Sequence, residues 1–393
     1  MTEPRRVIVA GHICLDIIPN VSGIAPGVFN AMFRPGHLLE AGQATLATGG
    51  PVSNTGLALH RLGVPVRLIG KVGYDPFGQV VLNLINAYGP NLAQGMAIDS
   101  QVTTSYSIII SPPHTDRIFL HCPGANHDFC AADVSDAELA QADLVHFGYP
   151  PVMRRMYAQG GRELAQLMSR AKSIGVTTSL DLCYPDPLSE AGQADWPAIF
   201  RSVLPHVDLF LPSIEELLFM LRHETLDELT AHGNVIDQIT SDLLTSVSDE
   251  LLRLGTKVVI IKVGEHGAYL RTANKATLTE MGRARPSDLA RWANQEMWAP
   301  CCQVEVVGTT GSGDATIAGF LSALLRDASP QQALTMAVAV GACNVEAADA
   351  VSGIRTWEAT TQRLANGWPR LPLLLNAPGW NWDSQSNLWQ RVI

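Results

Sequence analysis

A carboxylate stands directly behind a run of small residues at 308–314, GTTGSGD. Gly311, Ser312 and Gly313 offer consecutive backbone N–H groups just ahead of an apolar helical pattern. The first N–H groups of a helix lack intrahelical acceptors and its dipole favours negative charge, so this spacing predicts an anion site. The phosphate-loop pattern GxxxxGK[ST] can be laid on Gly308 to Gly313, but Asp314 and Ala315 then stand where Lys and Ser/Thr are needed. A carboxylate repels phosphate, so Asp314 does not hold it. It can instead accept a proton from an attacking hydroxyl while the nest stabilises the phosphoryl group. The competing reading is a helix N-cap, which is the commoner use of Asp at such a place.

A second group of polar residues lies near the N-terminus. In GHICLDII (11–18) Asp16 sits in an apolar setting after the first strand, and GGPVSNTGLALHRLG (49–63) places Gly49, Gly50 and Asn54 at the start of an amphipathic helix. Polar residues at the carboxyl ends of strands are where open α/β sheets bind ligands, so Asp16 and Asn54 could together grip neighbouring hydroxyls of a polyol. The alternative for each is a buried polar residue satisfying a turn. His121, Cys122, His127 and Cys130 cluster too, but their spacing fits no usual zinc pattern. The vicinal pair Cys301–Cys302 reads as packing ahead of a strand.

The elements that must position these residues are short β-branched runs alternating with helical patterns, which predicts parallel strands joined by crossover helices. Strands are expected at Val7–Ala10, Val66–Ile69, Leu144–Phe147, Thr177–Asp181, Val207–Leu211, Val258–Lys262 and Val304–Val307. Helices are expected at Val52–Leu62, between Pro76 and Gly89, and at Met153–Ser173, Ile214–Arg222, Asp237–Leu254, Gly313–Arg326 and Pro330–Val345. Segments 18–48 and 100–127 break the rhythm and read as loops and antiparallel strands forming a small sheet of their own. Residues 111–116 would be a long hairpin connection within it. Arg34 and Arg117 lie in these inserts, either as solvated arginines or as lid residues that touch substrate. Residues 272–303 are a further extra, and four of the eight tryptophans fall at 368–389. These are read as covering the core or an interface.

The whole chain has 393 residues and a formal net charge of −10, with 16% charged and 47% hydrophobic residues. An acidic excess argues against nucleic acid or an anionic membrane as partner, and the hydrophobic content argues against disorder. No run approaches the ~18 apolar residues of a membrane span. The seven scattered cysteines read as reduced thiols in a cytoplasmic protein.

Taken together and in order, these motifs resemble the PfkB family of ribokinase-like carbohydrate kinases. GGPVSNTGLALHRLG followed by GKVGYDPFG (70–78) is similar to the family's early glycine signature, and GTTGSGDATIAGF (308–320) to its late one. LDLCYPDP (180–187), LPSIEEL (211–217) and KVGEHGAYL (262–270) resemble intervening elements. The resemblance implies a three-layer α/β/α kinase domain over 1–355, with a mainly parallel central sheet and a small β-sheet lid. Residues 356–393 would be a Trp-rich extension packed on the domain or at an interface. Carried over, it makes Asp314 the catalytic base, the Gly311–Gly313 turn the anion hole, and Asp16, Gly49, Gly50, Asn54 and Arg117 substrate-binding. Lys262, Gly264, Gly267, Thr309 and Asn344 would contact ATP, and Glu216 would organise Mg2+ through water. The implied activity is transfer of the γ-phosphoryl of Mg-ATP to a sugar hydroxyl, expected to be a primary CH2OH. Family lids often pair across a homodimer. Two positions depart from the pattern. Ser213 replaces the usual Asn, weakening phosphate or metal organisation, and Gly308 replaces an Asp, putting monovalent-cation activation in doubt. A nucleoside kinase is the nearest rival, with Tyr106 and Phe119 as a stacking surface. A sugar-binding or regulatory protein that has lost catalysis is the rival of another class.

Overall fold

The computed structural model describes residues 5–21, 23, 36, 38–111 and 118–391. The strands in chain order are β1 (Val7–Gly11), β2 (Cys14–Asn20), β3 (Gly42–Gly49), β4 (Val66–Ile69), β5 (Lys71–Gly73), β6 (Ala97–Asp99), β7 (Tyr106–Ile110), β8 (Ile118–Cys122), β9 (Leu144–Gly148), β10 (Thr177–Leu180), β11 (Leu209–Phe210), β12 (Val258–Lys262), β13 (Ala268–Thr272), β14 (Glu296–Ala299), β15 (Trp380–Asp383) and β16 (Leu388–Arg391). Ten of them make one sheet in the order β15-β16-β14-β13-β12-β11-β10-β9-β1-β4. It is parallel from β4 through to β12 and antiparallel beyond.

The parallel strands are hydrophobic at nearly every position because both faces are covered, and alternate side chains feed opposite cores. Val7, Val9, Leu144, Val258 and Ile260 face the helices Pro51–Arg61, Ser312–Leu325 and Pro330–Asn344. Ile8, Ala10, Val145, Phe147 and Ile261 face the helices Trp196–Val203 and Ser241–Arg253 and the element Arg154–Ser173, which is broken at 158–161. Local signals set many ends. Asp75 Oδ1 accepts from Gly78 N at 2.8 Å ahead of Pro76–Asn86, and Ser329 forms a capping box with Gln332 at the start of Pro330–Asn344.

A separate four-stranded sheet has the order β3-β2-β7-β8, and its β7 and β8 share a cleft with His12 and Tyr149, which follow the carboxyl ends of β1 and β9. β7 and β8 come from the expected lid insert 100–127 and most of β3 from 18–48, but β2 begins at Cys14, ahead of the expected boundary. β7 and β8 pair antiparallel as a hairpin; most of the connection expected at 111–116, together with Arg34 and Arg117, lies outside the described residues. Among the described residues no helix is long and apolar enough to cross a membrane. All seven cysteines are free.

One expected strand is absent. Residues 304–307 are not in the sheet, and Val306 and Val307 are about 60% exposed. The backbone there is satisfied elsewhere: Gln303 N donates to the Pro369 carbonyl, and Val307 N and Gly308 N donate to the Val345 carbonyl. The place beside β13 is taken instead by β14, from the unassigned stretch 272–303, and the places beyond it by β16 and then β15 from the C-terminal residues. Trp380 is buried against Tyr269, Trp382 and Trp389 meet edge to face, and Trp368 Nε1 donates to the Gln303 carbonyl.

Candidate active site

Gly311 adopts the left-handed conformation (φ 73°) and starts the helix Ser312–Leu325. A Cβ at this position would approach Ala350 Cβ to 2.6 Å, so glycine is required both by the turn and by its neighbour. The buried Asn344 holds the loop from beneath, donating Nδ2 to the Thr310 carbonyl at 2.7 Å. Thr309 lies exposed on the same loop. Ser312 N donates to the Thr309 carbonyl at 3.2 Å, so the expected run of three open N–H groups is interrupted at its middle residue, and the remaining N–H groups of the first turn and the dipole behind them face this point.

Asp314 is the third residue of that helix, and Gly311 occupies the cap position, so the N-cap reading of Asp314 falls. Its carboxylate is 2% exposed and turned toward the helix Pro51–Arg61. Oδ2 accepts from Asn54 Nδ2 at 3.0 Å and from the Tyr149 hydroxyl at 2.9 Å, while Oδ1 accepts from Thr55 Oγ1 at 3.0 Å. Burial raises its pKa above the ordinary carboxylate value, although Asn54, Lys262, Tyr149 and Thr55 all pull the other way. The result is a fixed carboxylate that is more basic than a solvated one. Tyr149, raised by burial and by Asp314, keeps its proton and serves as donor.

Asn54 is thus joined to Asp314, 260 residues away in sequence, and not used as a partner for Asp16. Asp16 lies on β2 of the lid, where the Cys14 thiol donates to its Oδ1 at 3.2 Å. Burial lifts its pKa to about 6 despite the Cys14 and Ser107 donors. Gly49 and Gly50 owe their identity to these neighbours. A Cβ on Gly49 would strike the Asp16 carboxylate, and one on Gly50 (φ 91°) would lie 2.5 Å from His12 Nδ1.

Lys262, at the end of β12, pairs its Nζ with Asp181 Oδ1 at 2.7 Å and lies against the nest, 3.5 Å from where a Gly313 Cβ would be. Burial works against its charge, but Asp181, Glu216 and Asp314 more than offset this and hold the ammonium above its ordinary pKa. Asp181 Oδ2 is buried with no partner, which leaves an acceptor free beside the nest. Glu216 takes the Ser213 N–H on its Oε2 at 2.7 Å, so Ser213 forms a capping box for the helix Ile214–Leu221 in the place of the expected Asn. Gly264 and Gly267 flank the turn after β12. A Cβ at Gly267 would run into the Ala299 carbonyl, which is reason enough for glycine there.

Between the lid and the strand ends lies a cleft of about 1070 Å³, with His12, Tyr106, Phe119, His121, Tyr149 and Tyr184 on its walls. Motif reading missed Tyr149, Thr55 and His12. Tyr149 follows directly on β9 and was open to discovery by the same strand-end rule that singled out Asp16.

Against this geometry, the pfkB family carbohydrate kinase profile matches residues 4–357. Fructokinase-2 of Oryza sativa subsp. japonica is 23% identical over 330 residues, covering 83% of this chain and 82% of that protein. The structure of Arabidopsis thaliana ribokinase complexed with ribose and ATP superposes with a TM-score of 0.66 at 18% identity, covering 92% of this chain and 98% of the other. The Methanocaldococcus jannaschii nucleoside kinase shares the fold at a TM-score of 0.61 and 18% identity, covering 92% and 98%. With the profile spanning nearly the whole length, and with an anion nest, a buried carboxylate and a lid in the expected order, this chain belongs to the pfkB family of carbohydrate kinases.

Proposed function

We propose that this chain transfers the γ-phosphoryl group of Mg-ATP to a primary hydroxyl of a sugar bound under the lid. The observation that carries this reading is Asp314, buried, held by three donors and standing in the first turn of the helix whose N-terminus forms the nest. An alcohol is far too weak an acid to ionise first, so the carboxylate takes its proton late, as the bond to phosphorus forms. The N–H groups of Gly311 and Gly313, with the helix dipole behind them, and Lys262 stabilise charge on the transferring group. Asp16 and the lid cleft orient the acceptor, and the lid excludes water that would otherwise compete.

Asp181, with its unpartnered Oδ2, and Glu216 suit a Mg2+ held through water, since Mg2+ prefers oxygen ligands and keeps part of its hydration shell. The metal, when bound with ATP, supplies neutralisation of phosphate charge. Thr309 on the nest loop and Gly264 and Gly267 in the turn after β12 are the residues against which the nucleotide would lie.

The test is a panel of pentoses, hexoses, keto-acid sugars, sugar phosphates and nucleosides, read by coupled ADP release. ADP release with a free sugar supports the assignment. A second reading, a nucleoside as acceptor, is favoured by the aromatic walls Tyr106, Phe119 and Tyr184. Turnover of adenosine or inosine with no free sugar would establish it instead.

A further inference from the structure

We propose that His12, Cys14 and His121 form a binding site for a transition-metal ion of the zinc class, set beneath the lid beside the acceptor cleft. The sheet register brings the three together. Asp16 on β2 stands opposite Ser107 on β7, and Ser107 stands opposite His121 on β8. Residues two apart on a strand share a face, so Cys14 lies on the face of Asp16, Ser107 and His121. His12 arrives from the connection between β1 and β2, its ring centroid 5.3 Å from that of His121. A nitrogen from each imidazole and Cys14 Sγ all lie within 4.8 Å of one another.

What marks the cluster as more than packing is His12. It is 4% exposed, yet neither ring nitrogen has a hydrogen-bond partner. Buried polar atoms are nearly always satisfied, so an imidazole left with both nitrogens bare, in a wall of a cleft, points to something that binds there. His121 complements it. Its Nδ1 is engaged with Ser107 Oγ at 3.0 Å, which orients the ring and leaves Nε2 as the ligand atom. Cys14 supplies the thiolate, and its proton passes on metal binding to Asp16 Oδ1, the acceptor it already faces at 3.2 Å, and from there to solvent. No oxidation is involved: an S–H bond is exchanged for an S–metal bond.

Zinc bonds of about 2.0–2.3 Å place ligand atoms about 3.5 Å apart. The exposed His121 side chain has the freedom to close the remaining gap. Two nitrogens and a sulfur suit zinc-class ions and not Mg2+, and three ligands leave a fourth position open to the cleft. The consecutive residues His121 and Cys122 cannot serve together, because Cys122 pairs with Tyr106 and so points to the opposite face of β8. A second group, Asp237, Glu265 and His266, is largely exposed and has no orphaned nitrogen, so it serves as a control.

The site does not depend on the phosphotransfer reading and is tested without nucleotide or sugar. The full chain is titrated with Co2+ alone and followed by absorption, since a thiolate ligand gives a charge-transfer band in the near ultraviolet. One equivalent should produce the band, and Zn2+ should abolish it. Cys14→Ser should lack it. His121→Ala, an exposed change that leaves the fold intact, should weaken binding at least ~10-fold, as even the outer partners of metal ligands are commonly worth 10–100-fold. His266→Ala should change nothing. A missing band, a band that survives in Cys14→Ser, an unchanged affinity in His121→Ala, or binding that only His266→Ala abolishes would each overturn the proposal.

Discussion

Replacing Asp314 by Asn isolates the proton-accepting role from the structural one. The carboxylate takes three hydrogen bonds, two on Oδ2 from Asn54 and Tyr149 and one on Oδ1 from Thr55. An Asn carbonyl oxygen can keep the first two, and its amide can donate to Thr55 Oγ1, which is free to turn and accept. The variant therefore loses little packing and should melt close to the wild type. It cannot take a proton. General-base catalysis contributes about 10²–10⁴-fold, so kcat should fall by that factor, equivalent to about 3–5 kcal/mol of transition-state free energy. Asp314→Ala is the contrast, because it leaves buried donors unsatisfied at about 1–3 kcal/mol each and should also lower stability. The assay is coupled ADP release with the acceptor found in the panel, alongside thermal stabilisation by Mg-ATP. If Asp314→Asn turns over within about tenfold of the wild type while still binding nucleotide, the base assignment is wrong.

Other consequences follow from the same site and its surroundings. Activity should fall with decreasing pH as Asp314 becomes protonated, with the midpoint above the ordinary carboxylate range; Tyr149→Phe removes a donor to the ionised form, so the acid limb of kcat/KM should move to higher pH, and a limb that stays in place would contradict this. Lys262→Met strands the 1% exposed Asp181 carboxylate and should cost about 3–5 kcal/mol in denaturant unfolding, much of it recovered in the double variant with Asp181→Asn. Asp16→Asn should raise the acceptor KM while leaving the KM for ATP near its original value, a split read directly from steady-state kinetics. Leu46, Ile118, Phe119 and Leu120 are exposed on the lid, so the chain is expected to elute as a dimer by light scattering and Phe119→Glu to shift it toward monomer.

The parts of this molecule readable in advance are those governed by short-range rules. Val258–Lys262 has the expected bounds, and Pro76–Asn86 begins at its proline behind an Asp cap, because period, capping and turn chemistry act over a few residues. Val304–Val307 failed because a β-branched run becomes a strand only where a sheet edge is vacant, and β16 had taken the place beside β14. The same limit applies at the site. Asp314 was legible from its glycine turn, but its partners Asn54, Thr55 and Tyr149 come from 260, 259 and 165 residues away, and only the fold assigns them. Asn54 was expected to face a substrate hydroxyl, an equally reasonable use of its amide. His12 carried no motif at all, and its interest arises from two nitrogens without partners, a property of packing.

The central sheet also carries an order in time. Its antiparallel half closes when β16 pairs with β14, joining Met297 to Gln390 and Trp298 to Trp389. During synthesis, β14 and the face around Tyr269 leave the ribosome roughly ninety residues before their covering strands exist. At about 5–20 residues per second the catalytic elements can be assembled for several seconds while this edge remains unpaired. Unpaired strand edges are templates for association, so the nascent chain has a defined interval of vulnerability, and chaperone demand should concentrate there.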